Sequence, residues 1–342
     1  MANEKILPQL AIALTDKCNY KCHYCRPSGS SINKCDKNLP LEEVVRLLKI
    51  GYQKGFRVFR LTGGEPTLRQ DLMEIIEAIN NFGDDIKILL GTNGSLLGGY
   101  VENIKKYPNV KFFIGLDIIA KDREGFPKHL TPELREAISE LSKTNFVRIN
   151  MLVLNSNKEQ VKDVIEFCDS LKIDLKLQDL YYCEEIIDPA LNSKEFFSKE
   201  YHNLNSLTPE LTNMSSKISQ YPKKRADCGI PMKNFKVDNT NIIIKDSFKG
   251  SSYHSKCKSC YMYPCLHGIY CPIIASDGTI QISNCINTKF HEKVAYQTEE
   301  DIGKAFDKII SIINESKFET LDESCLNTNK EVQRIDLLGE IN

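Results

Sequence analysis

The sequence predicts an α/β fold: a partial (βα)6 TIM-like barrel over residues 1–190, a connecting segment at 191–225, and a smaller Cys-rich C-terminal extension at 226–342 that contains a β-hairpin. Three observations carry this expectation. Short β-rich runs alternate with stretches of helical spacing over roughly the first half of the chain, which implies parallel strands joined by right-handed crossovers. Six such units fall short of a closed eight-fold barrel, so an open one is the economical arrangement. Late in the chain, an Asp-Gly pair flanked by apolar runs marks a hairpin.

Taken in order, the strand candidates are Leu10–Leu14, Val58–Leu61, Ile86–Leu90, Val110–Leu116, Phe146–Val153 and Ile173–Leu180. Between them, Leu41–Tyr52, Leu72–Phe82, Pro132–Leu141 and Glu159–Leu171 place their apolar residues on one helical face. From Asn192 to Lys224 the chain turns polar and irregular and reads as a connection. Ile273-Ile274 and Ile280-Gln281-Ile282 then flank Ser276-Asp277-Gly278-Thr279 as the hairpin, and a helical stretch near Ile302–Asn314 precedes a polar tail. No tandem repeat or low-complexity tract interrupts this order. In such sheets chemistry gathers beyond the C-terminal ends of the strands, so the residues just after each apolar run matter most.

The 45 basic and 46 acidic side chains are interspersed along 342 residues, for a net charge of −1. Bulk electrostatics therefore give no reason to expect a nucleic-acid or membrane partner. No apolar run approaches the roughly 20 residues that a membrane span needs. The opening Met-Ala-Asn-Glu-Lys-Ile has no basic region leading into an apolar core. The expected location is the cytoplasm. There the 13 cysteines are expected as thiols, and metal ligation becomes their leading use.

The segment Thr15-Asp-Lys-Cys18-Asn-Tyr-Lys-Cys22-His-Tyr-Cys25 follows the first strand directly. Three thiolates on one short loop can hold three irons of a four-iron cluster and leave the fourth open to a substrate or cosubstrate. The alternatives are a zinc site short of one ligand, or plain buried cysteines. Gly63-Gly64-Glu65-Pro66 follows the second strand, and paired glycines let a ligand approach the backbone. Thr92-Asn93-Gly94 follows the third strand, Asp117 ends the fourth, Asn150 lies on the fifth, and Asp179, Tyr181, Tyr182 and Cys183 close the sixth. Taken singly, these residues serve turns and strand ends equally well. A second cysteine set comprises Cys257, Cys260, Cys265, Cys271 and Cys285. The hairpin brings Cys271 toward Cys285, and Cys257 with Cys260 complete a four-thiolate site for a second iron–sulfur cluster or for zinc. Cys265 is then an alternative ligand or a free thiol nearby. Cys35, Cys168, Cys228 and Cys325 read as structural or bystander thiols.

The Cys-x3-Cys-x2-Cys spacing, with the aromatic Tyr24 before its last cysteine and Gly63-Gly64-Glu65-Pro66 downstream, resembles the radical S-adenosylmethionine superfamily over residues 10–180. The resemblance implies that Cys18, Cys22 and Cys25 ligate a [4Fe–4S] cluster with an open iron that chelates S-adenosylmethionine. It places Tyr24, Gly63, Gly64, Glu65, Pro66, Thr92, Asn93, Asp117 and Asn150 around that cofactor. It implies reductive cleavage to a 5′-deoxyadenosyl radical and hydrogen-atom abstraction from a substrate, with Asp117, Asp179 and Cys183 as candidate catalytic residues. An electron donor such as flavodoxin or ferredoxin is the expected partner.

The Asp-Gly hairpin followed by a cysteine resembles the auxiliary-cluster extension of such enzymes, which implies at least one auxiliary [4Fe–4S] cluster. Six residues separate Gly278 from Cys285 where the SPASM pattern has four, so the one-cluster twitch version fits better. Overall the chain looks most like the molybdopterin GTP cyclase group, through its Thr-Asp-x-Cys-Asn entry, Leu61 to Arg69 and the strand-five Asn. It departs from that group in its tail, Leu338-Gly339-Glu340-Ile341-Asn342, which lacks paired terminal glycines. It also has Gly268-Ile269-Tyr270 and Pro272-Ile273-Ile274 where the group is arginine-rich, so a nucleotide's phosphates are expected to lack basic partners. Modification of a ribosomally made peptide is the leading expectation. The absence of room before the first strand for a leader-binding domain weighs against it. The alternatives are a small-molecule enzyme acting on a sugar, nucleoside or cofactor precursor, and a non-enzymatic metal-binding scaffold.

Overall fold

The computed structural model describes residues 7–25, 38–119, 126–180, 194–221, 231–245, 250–260, 263–265, 268–282, 285 and 287–320. The expected strands are present as β1 (Leu10–Ala13), β2 (Val58–Thr62), β3 (Lys87–Thr92), β4 (Val110–Gly115), β5 (Phe146–Leu152) and β6 (Asp174–Gln178). They pair in parallel in that order. Between them run α1 (Leu41–Gln53), α2 (Leu72–Asn80), α3 (Val101–Ile104), α4 (Pro132–Leu141) and α5 (Val161–Leu171). Local chemistry sets their ends. Thr131 Oγ1 accepts from the Leu134 amide at 3.1 Å with Pro132 in the first turn of α4, and α5 stops at Lys172 in a left-handed conformation. The single turn α3 is too short to show a periodicity.

The connecting segment is more ordered than its composition suggested. It holds α6 (Lys194–Glu200), α7 (Thr208–Met214) and the strand β7 (Lys217–Tyr221). Few of its residues are anchored inside, Phe197, Leu204 and Leu211 among them, and such sparse anchors leave no readable period.

β8 (Met232–Val237) and β9 (Thr240–Lys245) follow, then β10 (Ser251–Tyr253), β11 (Pro272–Ile274), β12 (Thr279–Ile282), β13 (Glu292–Lys293), α8 (Glu299–Glu315) and β14 (Lys317–Glu319). The expected hairpin is β11–β12: Gly278 takes φ +77, and the Thr279 amide donates to Asp277 Oδ1 at 3.0 Å.

The C-terminal half is built into the barrel sheet. β11 adds in parallel beside β1, and β9 adds in parallel beside β6. One twelve-stranded sheet results, in the order β13-β12-β11-β1-β2-β3-β4-β5-β6-β9-β8-β7. Its central eight strands, β11 through β9, are parallel. The helices lie on one face. Phe59, Leu61, Ile88, Leu90, Phe112, Ile114, Ile149 and Leu175 point toward them from the strands and are fully buried. The alternate residues, Arg60, Phe113, Arg148, Asn150 and Lys176, point to the opposite face, as period-two geometry requires. Among the described residues, no helix is long and apolar enough to cross a membrane.

Candidate active site

The glycines after β2 hold two loops together. Gly63 adopts φ +131, and a Cβ there would stand 2.3 Å from the Thr15 carbonyl oxygen; one on Gly64 would meet the Lys17 carbonyl oxygen at 2.2 Å. The Gly64 amide donates to Thr15 O at 2.6 Å and the Glu65 amide to Lys17 O at 2.8 Å. The backbone of the cysteine loop therefore lies directly against both glycines. Glu65 is 1% exposed. Its carboxylate accepts from Thr67 N and Oγ1, from Thr92 Oγ1 at 2.6 Å and from the Asn93 amide at 2.6 Å. It is therefore a knot between the strand ends of β2 and β3. Pro66 follows it inside a short 3-10 turn.

On the cysteine loop, Cys18 is exposed, Cys22 buried and Cys25 partly buried. Asn93 reaches across, donating to Asn19 Oδ1 at 2.9 Å and to Cys18 Sγ at 3.9 Å. Asp117, 1% exposed, accepts from the Tyr24 hydroxyl and, at 3.0 Å, from the Leu152 amide. It therefore fixes the aromatic residue beside Cys25 to the top of β4 and β5.

Lys128, which sequence reasoning passed over, completes this corner. Its ammonium lies 5.0 Å from the Tyr24 ring centroid, and its stem covers Gly115. Burial works against the Lys128 charge, but Asp117 with Cys22, Cys25 and Cys18 outweighs it and raises its pKa. Burial pushes the Cys22 thiol up, and Lys128 opposes that shift. A half-buried cation beside Tyr24, Asp117 and the cysteine loop suits an anionic metal–thiolate group and the carboxylate of a bound amino acid.

α6 roofs the loop. Phe197 packs with Cys22, Tyr24, Leu154 and Leu180, and Phe196 stacks on His23 at 6.2 Å. Glu200 pins the helix by accepting from the Ser156 amide at 3.1 Å.

The helix-free face beside this corner is basic. Arg148 lies over the Phe113 ring at 3.9 Å and donates to Asn150 Oδ1 at 3.2 Å. Burial, then Arg148, Lys245 and Arg60, hold the Lys176 ammonium well below the ordinary lysine value, with Asp179 the opposing charge. Arg60 Nε is buried without a partner. Of the residues expected to close β6, Asp179 stands next to this cluster, while Tyr181, Tyr182 and Cys183 lie outside the described residues. The signal for the basic cluster was present in the sequence: in each of three strands a basic residue stands between two apolar neighbours, Phe59-Arg60-Leu61, Val147-Arg148-Ile149 and Leu175-Lys176-Leu177.

Comparison with known proteins supplies the family. The model of the radical S-adenosylmethionine superfamily matches residues 12–168. The GTP 3′,8-cyclase of Alkaliphilus oremlandii is 30% identical over 220 residues, covering 62% of this chain and 68% of that protein. This chain belongs to the radical S-adenosylmethionine superfamily. It is an enzyme, and its cofactors are a [4Fe–4S] cluster and S-adenosylmethionine.

The GTP 3′,8-cyclase of Helicobacter pylori strain HPAG1 is 29% identical over 178 residues, which make up 50% of this chain and 55% of that relative. The chain thus spans about half the length of that relative and of several others it matches. Among solved structures, Streptococcus suis SuiB bound to S-adenosylmethionine aligns over 90% of this chain and 68% of its own, with a TM-score of 0.57 and 18% identity. SuiB bound to the precursor peptide SuiA aligns over 97% of this chain and 71% of its own, with a TM-score of 0.60 and 17% identity. These two establish a shared fold.

Within this radical S-adenosylmethionine enzyme the second cysteine set splits. Cys257, Cys265 and Cys285 edge the main core, whereas Cys271 packs with Ala11, Ile273 and Tyr270 on the helix-free face. Burial pushes the Cys285 thiol up to about 12, with Cys265, Cys257 and Cys260 adding to the shift. Burial also pushes the Cys271 thiol up, to about 11, and there Gln9 and Arg60 oppose the shift. The hairpin thus carries Cys271 on the side of Ala11 and Ile273, whereas Cys285 packs against the main core. Pro272 pairs with Ile282 as the register requires, yet Cys271 shares the side of Ile273 and projects away from the other thiols. Among the described residues, no three Cys, His, Asp or Glu side chains converge tightly enough to hold a single metal ion. Cys168 is buried on α5, away from either set. Cys35, Cys228 and Cys325 lie outside the described residues.

Proposed function

We propose that this enzyme acts on a small anionic molecule, with phosphorylated or carboxylated metabolites of nucleoside type the first class to test. One observation carries the reading: Arg60, Arg148, Lys176 and Lys245 stand on the same face of the sheet, against Asp174 opposite Arg148 and Asp179 beyond the end of β6. Crowding like charges on a desolvated surface is costly unless an anion compensates them. The cluster also removes the objection that phosphates would find no basic partners here, since they sit on the barrel strands instead of the hairpin.

The relatives named GTP 3′,8-cyclase weigh in the same direction, toward the small-molecule alternative and away from peptide modification. Cys18, Cys22 and Cys25 would hold the cluster and Lys128 would face the carboxylate of S-adenosylmethionine. When bound, these cofactors supply a carbon radical that removes a hydrogen atom. The chain's own residues then have three tasks. Arg148 and Lys176 orient the anion, Tyr24 and Asp117 hold the cysteine loop in place, and Phe196 and Phe197 exclude water. A one-electron donor of the flavodoxin or ferredoxin class is the partner this chemistry requires.

The test is anoxic reconstitution with reductant and S-adenosylmethionine, followed by release of 5′-deoxyadenosine across a panel of nucleoside phosphates, sugar phosphates and peptides. Phosphorylated compounds should stimulate release, and Lys176→Met or Arg148→Met should weaken their binding about tenfold or more, the loss of one charge-assisted contact of about 1.5–3 kcal/mol. Stimulation by an uncharged peptide alone would overturn the reading, as would release that no phosphorylated or carboxylated compound increases.

A further inference from the structure

We propose that the auxiliary cluster is ligated by Cys257, Cys260, Cys265 and Cys285, with Cys271 excluded, so that none of its irons is open to substrate. The inference concerns the second cysteine set and stands apart from the substrate reading above.

The first argument is the plane of the sheet. Ile274, Ile280 and Ile282 point into the main core, with Cys257 in the same core and Cys265 and Cys285 packed against it. Cys271 has the parity of Ile273 and contacts Ala11 from the other side. Its thiol accepts from Gln9 Nε2 at 3.6 Å. A ligand drawn from that side would have to pass through a strand bonded on both edges, since β11 pairs with β1 and with β12.

The second argument is how the other four are presented. A 3-10 turn over Ser255–Ser259, capped by His254, carries Cys257, and the Cys260 amide closes back on the Cys257 carbonyl at 2.8 Å. The Tyr263 amide then bonds Cys260 O at 3.0 Å, which turns the chain toward Cys265. The Cys265 carbonyl accepts from the Tyr253 hydroxyl, and its sulfur accepts from the Gly268 amide at 3.3 Å. An amide donated to sulfur is a typical partner of a ligating thiolate. Gly268 allows this because it takes φ +58 where a Cβ would strike Ser251 Oγ at 2.2 Å and Ser252 O at 2.4 Å. On the far side, the Cys285 carbonyl is bonded by the His291 ring at 2.9 Å. Cys257, Cys265 and Cys285 thus stand on the core side of the sheet, and Cys260 is one tight turn from Cys257. Four thiolates saturate a cube, and an iron with a full set has no position for a substrate atom. Such a cluster relays electrons or braces the fold.

The test uses the anoxically reconstituted full chain and measures iron alongside electron paramagnetic resonance. The parent and Cys271→Ala should each hold about eight irons, in two clusters, and Cys265→Ala about four. A second readout uses the chain carrying Cys18→Ala, Cys22→Ala and Cys25→Ala, in which the auxiliary cluster remains alone. Its reduced signal should be unmoved by cyanide, which binds only an open iron. Loss of iron in Cys271→Ala, or a cyanide-shifted signal in the triple variant, would overturn the assignment. So would zinc in place of the second set of irons. If Cys265→Ala does not accumulate as folded protein, the Cys271→Ala iron count and the cyanide response still decide the matter.

Discussion

Gly63 and Glu65 act at the scale of single residues by bringing backbones together: the glycine admits the Thr15 carbonyl, and the carboxylate ties Thr92 and Asn93 to the end of β2. An alanine at position 63 would have to hold φ +131 and displace the Thr15 carbonyl. Gly63→Ala is expected to cost about 3 kcal/mol, at the upper end of the range for local backbone strain, and to lower the iron retained by the first loop. Chemical denaturation of the apo chain and iron analysis check the two effects separately. Lys176 provides a test in pH. Because burial and three neighbouring cations depress its folded pKa, the unfolded chain binds more protons than the folded one between that depressed value and the unfolded value near 10.4. Stability should therefore rise with pH through this window, and below it the full penalty of charging a desolvated amine applies. Lys176→Met should remove that rise from denaturation curves while raising the stability of the substrate-free protein. An unchanged pH profile would show that the amine is solvated after all.

Among the elements, α6 was the least legible and is among the most consequential. Its polar composition reads as linker, yet Phe197 is buried against Cys22 and Tyr24, and Glu200 ties the helix to the loop after β5. Removing the ring leaves a cavity directly over the cysteine loop. Phe197→Ala should cost about 3–5 kcal/mol and let oxygen reach the cluster, so visible absorbance should bleach several-fold faster in air than in the parent. Equal bleaching rates would mean that α6 gives the loop no shelter. By contrast, α8 was legible from its spacing alone. Thr298 Oγ1 accepts from the Asp301 amide at 3.2 Å, and Phe306 packs against Phe56 with ring centroids 5.9 Å apart. Amphipathic periodicity records a helix that lies flat on a core, whereas a helix anchored by one or two rings leaves no period to read.

For the molecule as a whole, the boundary drawn near residue 190 cuts through one sheet. β11 covers the edge of β1 and β9 covers the edge of β6, so a chain ending there would expose two edges rich in Leu and Ile. Such edges recruit other chains. Residues 1–190 expressed alone should be recovered mostly as aggregate, with light scattering and far-ultraviolet circular dichroism as the measurements. A soluble, cooperatively unfolding fragment would show that the barrel needs neither added strand.

The sequence by itself determined the six β-then-α units, the hairpin at Asp277-Gly278 and the first cysteine loop, because each is written in local spacing: a period of two, a period of 3.6, or three thiols within one turn of loop. Only the tertiary structure decided that β9 and β11 extend the same sheet, that Arg60, Arg148, Lys176 and Lys245 share one face, and that Cys271 lies across the sheet from the core that Cys265 and Cys285 edge. Those facts depend on which strands become neighbours and which side of a strand faces the core. Neighbours far apart in the chain leave no mark in the spacing of either segment, and a one-residue change of parity moves a side chain through the sheet without altering the pattern that a reader sees.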